Sequence, residues 1–426
     1  MLIKSLKAWH KDGCLGLMFA LLSLLLSGCS TVCLEPEELC ASKGANTSLH
    51  PRVIERSAVP APEPVPESAS APAPRPDPAD AVRTAPITLP GQEAPPANTV
   101  RVALLLPMNS ASLAGAAESV RAGFMAGAAR DGAGFQVDLV ATGDDVAQTL
   151  AAYDDASATH DLVVGPLARP AVSALASRGS VPRTTIALNH PETRGTLPRG
   201  MWVAGLSIED EARQVAEWAA REHPNGRVLI LTGSPVWAQR AADAFEARWS
   251  ELGHTGQRFA LPSVDGRVDP ALLEELKSRL DIDPPALLFA ALDVAELRQV
   301  RTLAGTTLPV YGGATINPGR APGLTVPELD GIHVVDVPWL VQPDHPAVMV
   351  YPRLADPELP LYMHRLYALG IDAFLVAREL AVRPGSPFRI DGVSGRLTLD
   401  AAGQLRRREA QAVYRDGGFT PADTGP

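Results

Sequence analysis

The chain has 426 residues, 46% hydrophobic and 20% charged, with a formal net charge of −10. That length and composition fit one or two globular domains with sizeable cores. The acidic balance disfavours nonspecific nucleic-acid binding, which needs cationic surface to neutralise phosphates.

Lys4, Lys7 and Lys11 precede an apolar stretch from about Cys14 to Leu26. It is too short to cross a bilayer as a helix, so residues 1–28 read as a secretory signal. The closing residues Leu26-Ser27-Gly28-Cys29 resemble a bacterial lipobox, whose cysteine is diacylated on sulfur and becomes the amino terminus. Cys29 is therefore the expected lipid attachment point, and two or three acyl chains anchor a protein stably where one does not. Ser30 follows, without the aspartate that commonly retains lipoproteins at the inner membrane, so the expected location is the outer membrane, facing the periplasm. Cys14 goes with the signal. Cys33 and Cys40 remain, and in an oxidising compartment they are expected to form a small disulfide, with two inert thiols as the alternative. A zinc site is not expected, because no second cysteine pair or spaced histidine pair completes four ligands.

Residues 29–98 read as a disordered linker. From Val59 to Asn98 proline recurs at nearly every second or third position and almost nothing can pack. At about 3.1 Å per residue, roughly 60 such residues reach on the order of 190 Å when fully extended. The linker reads as a spacer, with a proline-recognition motif as the alternative.

From Val100 the pattern becomes regular. Near-continuous apolar runs at Val100–Pro107, Asp161–Leu167, Thr184–Asn189, Arg227–Gly233 and Ala286–Leu292 alternate with helical segments. Buried parallel strands have this signature. Ser207 with Asp210 resembles a capping box, followed by Ala212, Val215, Ala216 and Ala219 on one helical face. Strand-helix units over about 320 residues exceed what one open sheet usually needs, which predicts an α/β fold of two lobes with a cleft between them. The tail Asp391–Phe419 changes style to short runs between glycine turns and reads as a β-hairpin or meander on a lobe edge.

Motifs of chemistry are mostly missing. No Gly-x-Ser-x-Gly elbow, His-Glu-x-x-His pair or phosphate-binding Gly-x-x-x-x-Gly-Lys loop occurs, and no catalytic residue or cofactor is assigned. Gly132-Ala133-Gly134 precedes a strand expected at Phe135–Thr142 and reads as a helix-ending turn rather than half a dinucleotide fingerprint. Asp144-Asp145 reads as a helix cap rather than a metal site. His160, His190, His223 and His254 fall in turns, and Arg406-Arg407-Arg408 reads as a solvated strand or turn rather than an anion site.

"VALLLPMNSASLAGAAESVRAGFMAGAA", "LVVGPLARPAVSALAS", "TIALN", "RLYALGIDAFLVAREL" and "GVSGRLTLDAAGQLRRREAQAVYRDG" together resemble the carboxy-terminal domain of LpoA-type penicillin-binding protein activators. The resemblance covers essentially residues 99–420. It implies a type I periplasmic-binding-protein-like fold, with two Rossmann-like lobes of parallel sheets flanked by helices around a central cleft. Lobe 1 is expected at about 99–205 plus 316–385, and lobe 2 at about 206–315 plus 386–420. It further implies a non-enzymatic outer-membrane lipoprotein that stimulates a class A penicillin-binding protein, a peptidoglycan synthase. Long members of that family carry an additional helical, TPR-like domain before this fold, where this chain has the proline-rich segment.

The Gly-x-x-Gly-x-Leu-x-Leu-Asp-x-x-Gly stretch from Gly392 to Gly403 also resembles periplasmic amino-acid receptors of the same fold. Those hold the ligand's charged ends with hydroxyl-rich loops in the first lobe and an acidic residue in the second. Here the loop after Val164 is Gly-Pro-Leu-Ala-Arg-Pro and the next turn is Asn189-His190-Pro191, which suit an amino-acid zwitterion poorly. The cleft candidates for some other small molecule are Asn109, Ser110 and Asn189 in lobe 1 and Trp237 and Asp293 in lobe 2. Trp237 reads equally as a packing residue at a helix start.

Overall fold

Both faces of the run Val100–Leu106 are covered, which is why it is apolar at nearly every position. The computed structural model describes residues 99–193, 195–320, 326–354 and 356–422. The expected signal, Cys29, Cys33, Cys40 and the linker lie outside the described residues. Lobe 1 begins with β1 (Val100–Leu106), α1 (Ala114–Asp131), β2 (Phe135–Ala141), α2 (Val146–Thr159), β3 (Leu162–Val164), α3 (Arg169–Ala176), β4 (Ser180–Ala187) and β5 (Arg199–Val203). Its sheet is parallel in the order β2-β1-β3-β4-β5. Val102, Leu104 and Leu106 share one core with Val120 and Phe124 of α1, while Ala103 and Leu105 point the other way, onto Tyr153 of α2 and Val172 of α3. Gly132 ends α1, and Asp145 caps α2 by accepting from Gln148 N, as the sequence predicts.

The chain then enters lobe 2 with α4 (Ile208–Glu222), β6 (Val228–Thr232), α5 (Val236–Glu251), β7 (Gly256–Ala260), the short pair β8 (Ser263–Val264) and β9 (Arg267–Val268), α6 (Pro270–Ile282), β10 (Leu287–Ala291), α7 (Val294–Ala304), β11 (Val310–Gly312) and β12 (Ile332–Asp336). It returns to lobe 1 through α8 (Pro338–Val341), α9 (Pro346–Met349), α10 (Leu361–Val382) and a meander of β13 (Phe388–Asp391), β14 (Arg396–Leu399) and β15 (Leu405–Arg408). It ends in lobe 2 with β16 (Ala410–Arg415) and β17 (Gly418–Pro421). The second sheet has the order β17-β16-β12-β11-β10-β6-β7, parallel except for the last two strands of the chain. Helices α4 and α5 cover one face and α6 and α7 the other.

The lobe boundaries differ from the expected ones. The second crossing falls at Asp336–Val337 rather than near residue 316, because Ile332 and Val334 pair beside β11 and bury in the second-lobe core. The third falls at Glu409 rather than near residue 386, because Phe388, Leu397 and Leu399 of the meander pack into the first-lobe core. The tail is thus both a meander and a hairpin, divided between the lobes. Ser207 caps α4 by accepting from Asp210 N, but Asp210 spends its carboxylate on Arg213 and does not complete a capping box.

Charge holds the crossings together. At the second one, Asp336 accepts two hydrogen bonds from Arg365 of α10, at 2.8 and 2.7 Å, plus one from Asn317 Nδ2 at 2.6 Å and one from Val337 N at 2.7 Å. Arg365 also donates to Ala314 O at 2.8 Å, so one lobe-1 side chain grips lobe 2 at two points. Near the third crossing, buried Asp372 of α10 accepts from Val393 N, Ser394 N and Ser394 Oγ.

Helices α1 and α10 meet backbone to backbone. A Cβ on Gly370 would lie 2.2 Å from Val120 O, and one on Gly123 would lie 1.9 Å from Tyr367 O. Gly370→Ala is expected to force the helices apart and cost about 1–3 kcal/mol, read from denaturant unfolding. Arg365→Met strips a buried carboxylate of its cation and is expected to cost about 3–5 kcal/mol in the same measurement. A loss below 0.5 kcal/mol for the second would mean that Asp336 is satisfied by its neutral donors alone.

Candidate functional site

The loops at the carboxyl ends of parallel strands border an open groove of about 1160 Å³ that both lobes line. Lobe 1 contributes His190 and residues 195–203, lobe 2 contributes Glu209, Asp210 and Arg213 of α4 and Arg240 of α5, and residues 402–405 close one end. Arg213 pairs with Asp210 and Arg240 with Glu209. Arg169 and Arg199 line the same groove without an ion-pair partner among the described residues. The surface is mixed in charge, with Trp202 as its large aromatic.

None of the five cleft candidates lines this groove. Asn109 donates its backbone N–H to Thr142 O, with its side chain exposed. Ser110 Oγ accepts from Leu113 N at 2.9 Å and shapes the turn into α1. Asn189 donates from Nδ2 to Leu167 O at 3.1 Å and accepts from His190 N, tying two lobe-1 loops together. Trp237 is half-buried against the second-lobe core, the packing role read as its alternative. Asp293 caps α7 in a full capping box with Glu296. Three of these five positions thus use their polar groups to build the loops rather than present them.

The histidines do not converge on one centre either. His160 contacts Asp138 at 3.1 Å, His190 meets Gly205 O at 3.1 Å, and His254 stacks on Trp249. His223 lies 3.0 Å from the Tyr311 hydroxyl, which donates to Glu222, and His333 stacks on the same tyrosine. Burial pushes the His190 and His333 imidazoles below their ordinary value. Among the described residues no three His, Cys, Asp or Glu side chains are placed to hold a metal ion.

Arg407 is the residue that the sequence placed wrongly. Arg406 and Arg408 face solvent, but the strand alternates, and Arg407 turns inward to donate to Ala204 O at 2.6 Å, Gly205 O at 2.8 Å and Ser394 Oγ at 3.0 Å. It ties the third crossing to the first. Beside it lie two buried acids: Glu211 of α4, 6% exposed, accepts from Ala314 N at 3.0 Å, and Glu409, 7% exposed, has an oxygen, Oε2, with no hydrogen-bond partner. Burial pushes Glu211 up to about 7. Burial and the neighbouring Glu211 raise Glu409 well above the usual carboxyl range. Period-two alternation in "LRRREA" carries the signal for Arg407; nothing local in the sequence announces the acid pair, because its members are about 200 positions apart.

Known proteins share this architecture. The full-length LpoA of Haemophilus influenzae superposes with a TM-score of 0.62 at 22% identity, over 76% of this chain and 59% of that one. A Chromobacterium violaceum structure described as a putative branched-chain amino acid ABC transporter gives 0.62 at 32% identity, over 74% of this chain and all of that one. Penicillin-binding protein activator LpoA of Photobacterium profundum is 26% identical over 292 residues, 61% of this chain and 46% of its own length, and that of Pasteurella multocida is 26% identical over 332 residues, 75% and 54%. This chain therefore spans about half the length of the curated relatives that it matches. A family model described as "LppC putative lipoprotein" matches residues 93–269 and 264–417. With most of the two-lobed domain matched, the chain belongs to the LppC lipoprotein family.

Proposed function

We propose that this protein is a lipid-anchored, non-enzymatic activator of a class A penicillin-binding protein, working from the outer membrane through its two-lobed domain. The observation that carries this reading is the kinship just described: the matched relatives are named penicillin-binding protein activators, and the Haemophilus influenzae LpoA C-domain is described as a regulator of PBP1A. The site supports it in a second way, since Ser110, Asn189 and Asp293 are spent on turns and caps. Attachment at Cys29, a Cys33–Cys40 disulfide and an extended linker complete the proposed geometry, in which the tether delivers the domain to a synthase in the opposite membrane. Binding that favours the active conformation of the synthase is sufficient for activation.

A second reading, a periplasmic solute receptor, draws on the 32% identity to the Chromobacterium violaceum structure. A ligand that binds only the folded state raises the melting temperature in proportion to its concentration over Kd, so a metabolite thermal-shift screen separates the two readings.

The full chain mixed with a purified class A synthase is expected to bind it and raise its rate of crosslinking. No binding and no rate change across the class A enzymes of the host would end the activator reading. In cells, Cys29→Ser is expected to abolish the stimulation while the purified variant still stimulates in solution.

A further inference from the structure

Every passage between the lobes runs past one buried set of charges. From α4 comes Glu211, with the half-exposed Asp210 at the margin, from β12 Asp336, from α10 Arg365 and Asp372, and from β15 Arg407. The acids outnumber the guanidinium groups. Glu409 sits among them at the third crossing, its backbone N–H donating to Gln214 Oε1 of α4 at 2.9 Å. Its Oε2 is buried and accepts from nothing.

An ionised carboxylate in that position lacks what it needs. The cavity that adjoins it, bordered by His190, Ser207, Gln214 and Arg407, has a volume of about 20 Å³, room for roughly one water. On the other side Glu409 borders a polar groove of about 670 Å³ that carries Arg221, His345, Asp391, Arg396 and Arg408. Two of the groove's arginines are already engaged, Arg221 with Gln411 and Arg408 with Glu217, and His345 lies near Asp391. Oε2 itself is sealed from both spaces, so bringing water to it once ionised requires the side chain or the crossing to shift.

We propose that Glu409 is a proton-operated latch on the hinge: held as a neutral acid it keeps the three crossings packed as seen here, and its ionisation loosens them and changes the angle between the lobes. The inference is independent of which partner or ligand the domain takes. The direction of the burial effect agrees with it. A carboxyl raised in the folded state stays protonated where the unfolded chain, at about 4.5, has already ionised. Its contribution is complete at acid pH and is lost as pH rises from 4.5 through the raised value, and the same window applies to its neighbour Glu211, which reaches about 7.

The test is an inter-lobe distance. Spin labels attached through azidophenylalanine at Glu192 of lobe 1 and Val264 of lobe 2, both exposed, leave the native cysteines of the full chain untouched. Pulsed dipolar spectra from pH 4 to 9 are expected to show the distance changing through one midpoint above 4.5. Glu409→Gln is expected to hold the acid-pH distance throughout, with the surface control Glu275→Gln unaltered from wild type. Glu211→Gln keeps an acceptor for Ala314 N and removes a neighbouring negative charge, so it is expected to move the midpoint to lower pH. That variant carries the test if Glu409→Gln does not fold. A wild-type distance that is constant with pH, a transition that persists in Glu409→Gln, or a midpoint indifferent to Glu211→Gln overturns the proposal.

Discussion

The Asp336–Arg365 pair is the contact on which the two-lobed arrangement depends. One partner ends the last parallel strand of lobe 2, and the other lies on the helix at the centre of lobe 1. Such a pair is a poor source of net stability, because burying two charges costs nearly what their attraction returns. Its value is positional. Once both charges are buried, any relative movement that separates them leaves each one unpaired in a low-dielectric setting, so the crossing has a strongly preferred geometry. Arg407 likewise ties the third crossing to the first, donating to the carbonyls of Ala204 and Gly205.

Much of this fold is legible in the sequence and some is not, for identifiable physical reasons. The strands VRVALLL and VLILT are buried on both faces, so composition alone reveals them. The caps at Asp145 and Ser207 are local and equally readable. By contrast β12, IHVVD, is short and partly polar, and its place in the second sheet follows from pairing with β11 about 20 positions earlier and with β16 about 80 positions later. The lobe boundary moves with it. The candidate cleft residues failed to assemble for a related reason: Asn, Ser and Asp at strand ends serve turns and helix caps as readily as ligands, and the sequence does not distinguish the two uses.

Two stretches that carry the family resemblance prove to be one contact. Asp372, in "ALGIDA", receives the backbone of Val393 and Ser394, in "GVSG", and Gly392 is required because a Cβ there would lie 2.4 Å from the carboxylate. The motif shared with amino-acid receptors therefore fastens the meander to α10 and says nothing about cargo. In this chain the motif is a joint of the fold, and fold does not by itself carry activity.

The interleaving of the chain also fixes the order in which it can fold. The first-lobe core contains Leu397 and Leu399 as well as Val102 and Leu104, and the second-lobe sheet is incomplete without β16 and β17 at residues 410–421. Neither lobe can close its core until nearly the whole chain is available, so the contacts that matter most span 200 to 300 positions. Synthesis from the amino terminus leaves both halves unfinished up to the last few dozen residues. Folding of the domain is accordingly a single late event that couples the lobes from the outset, rather than the docking of two finished halves.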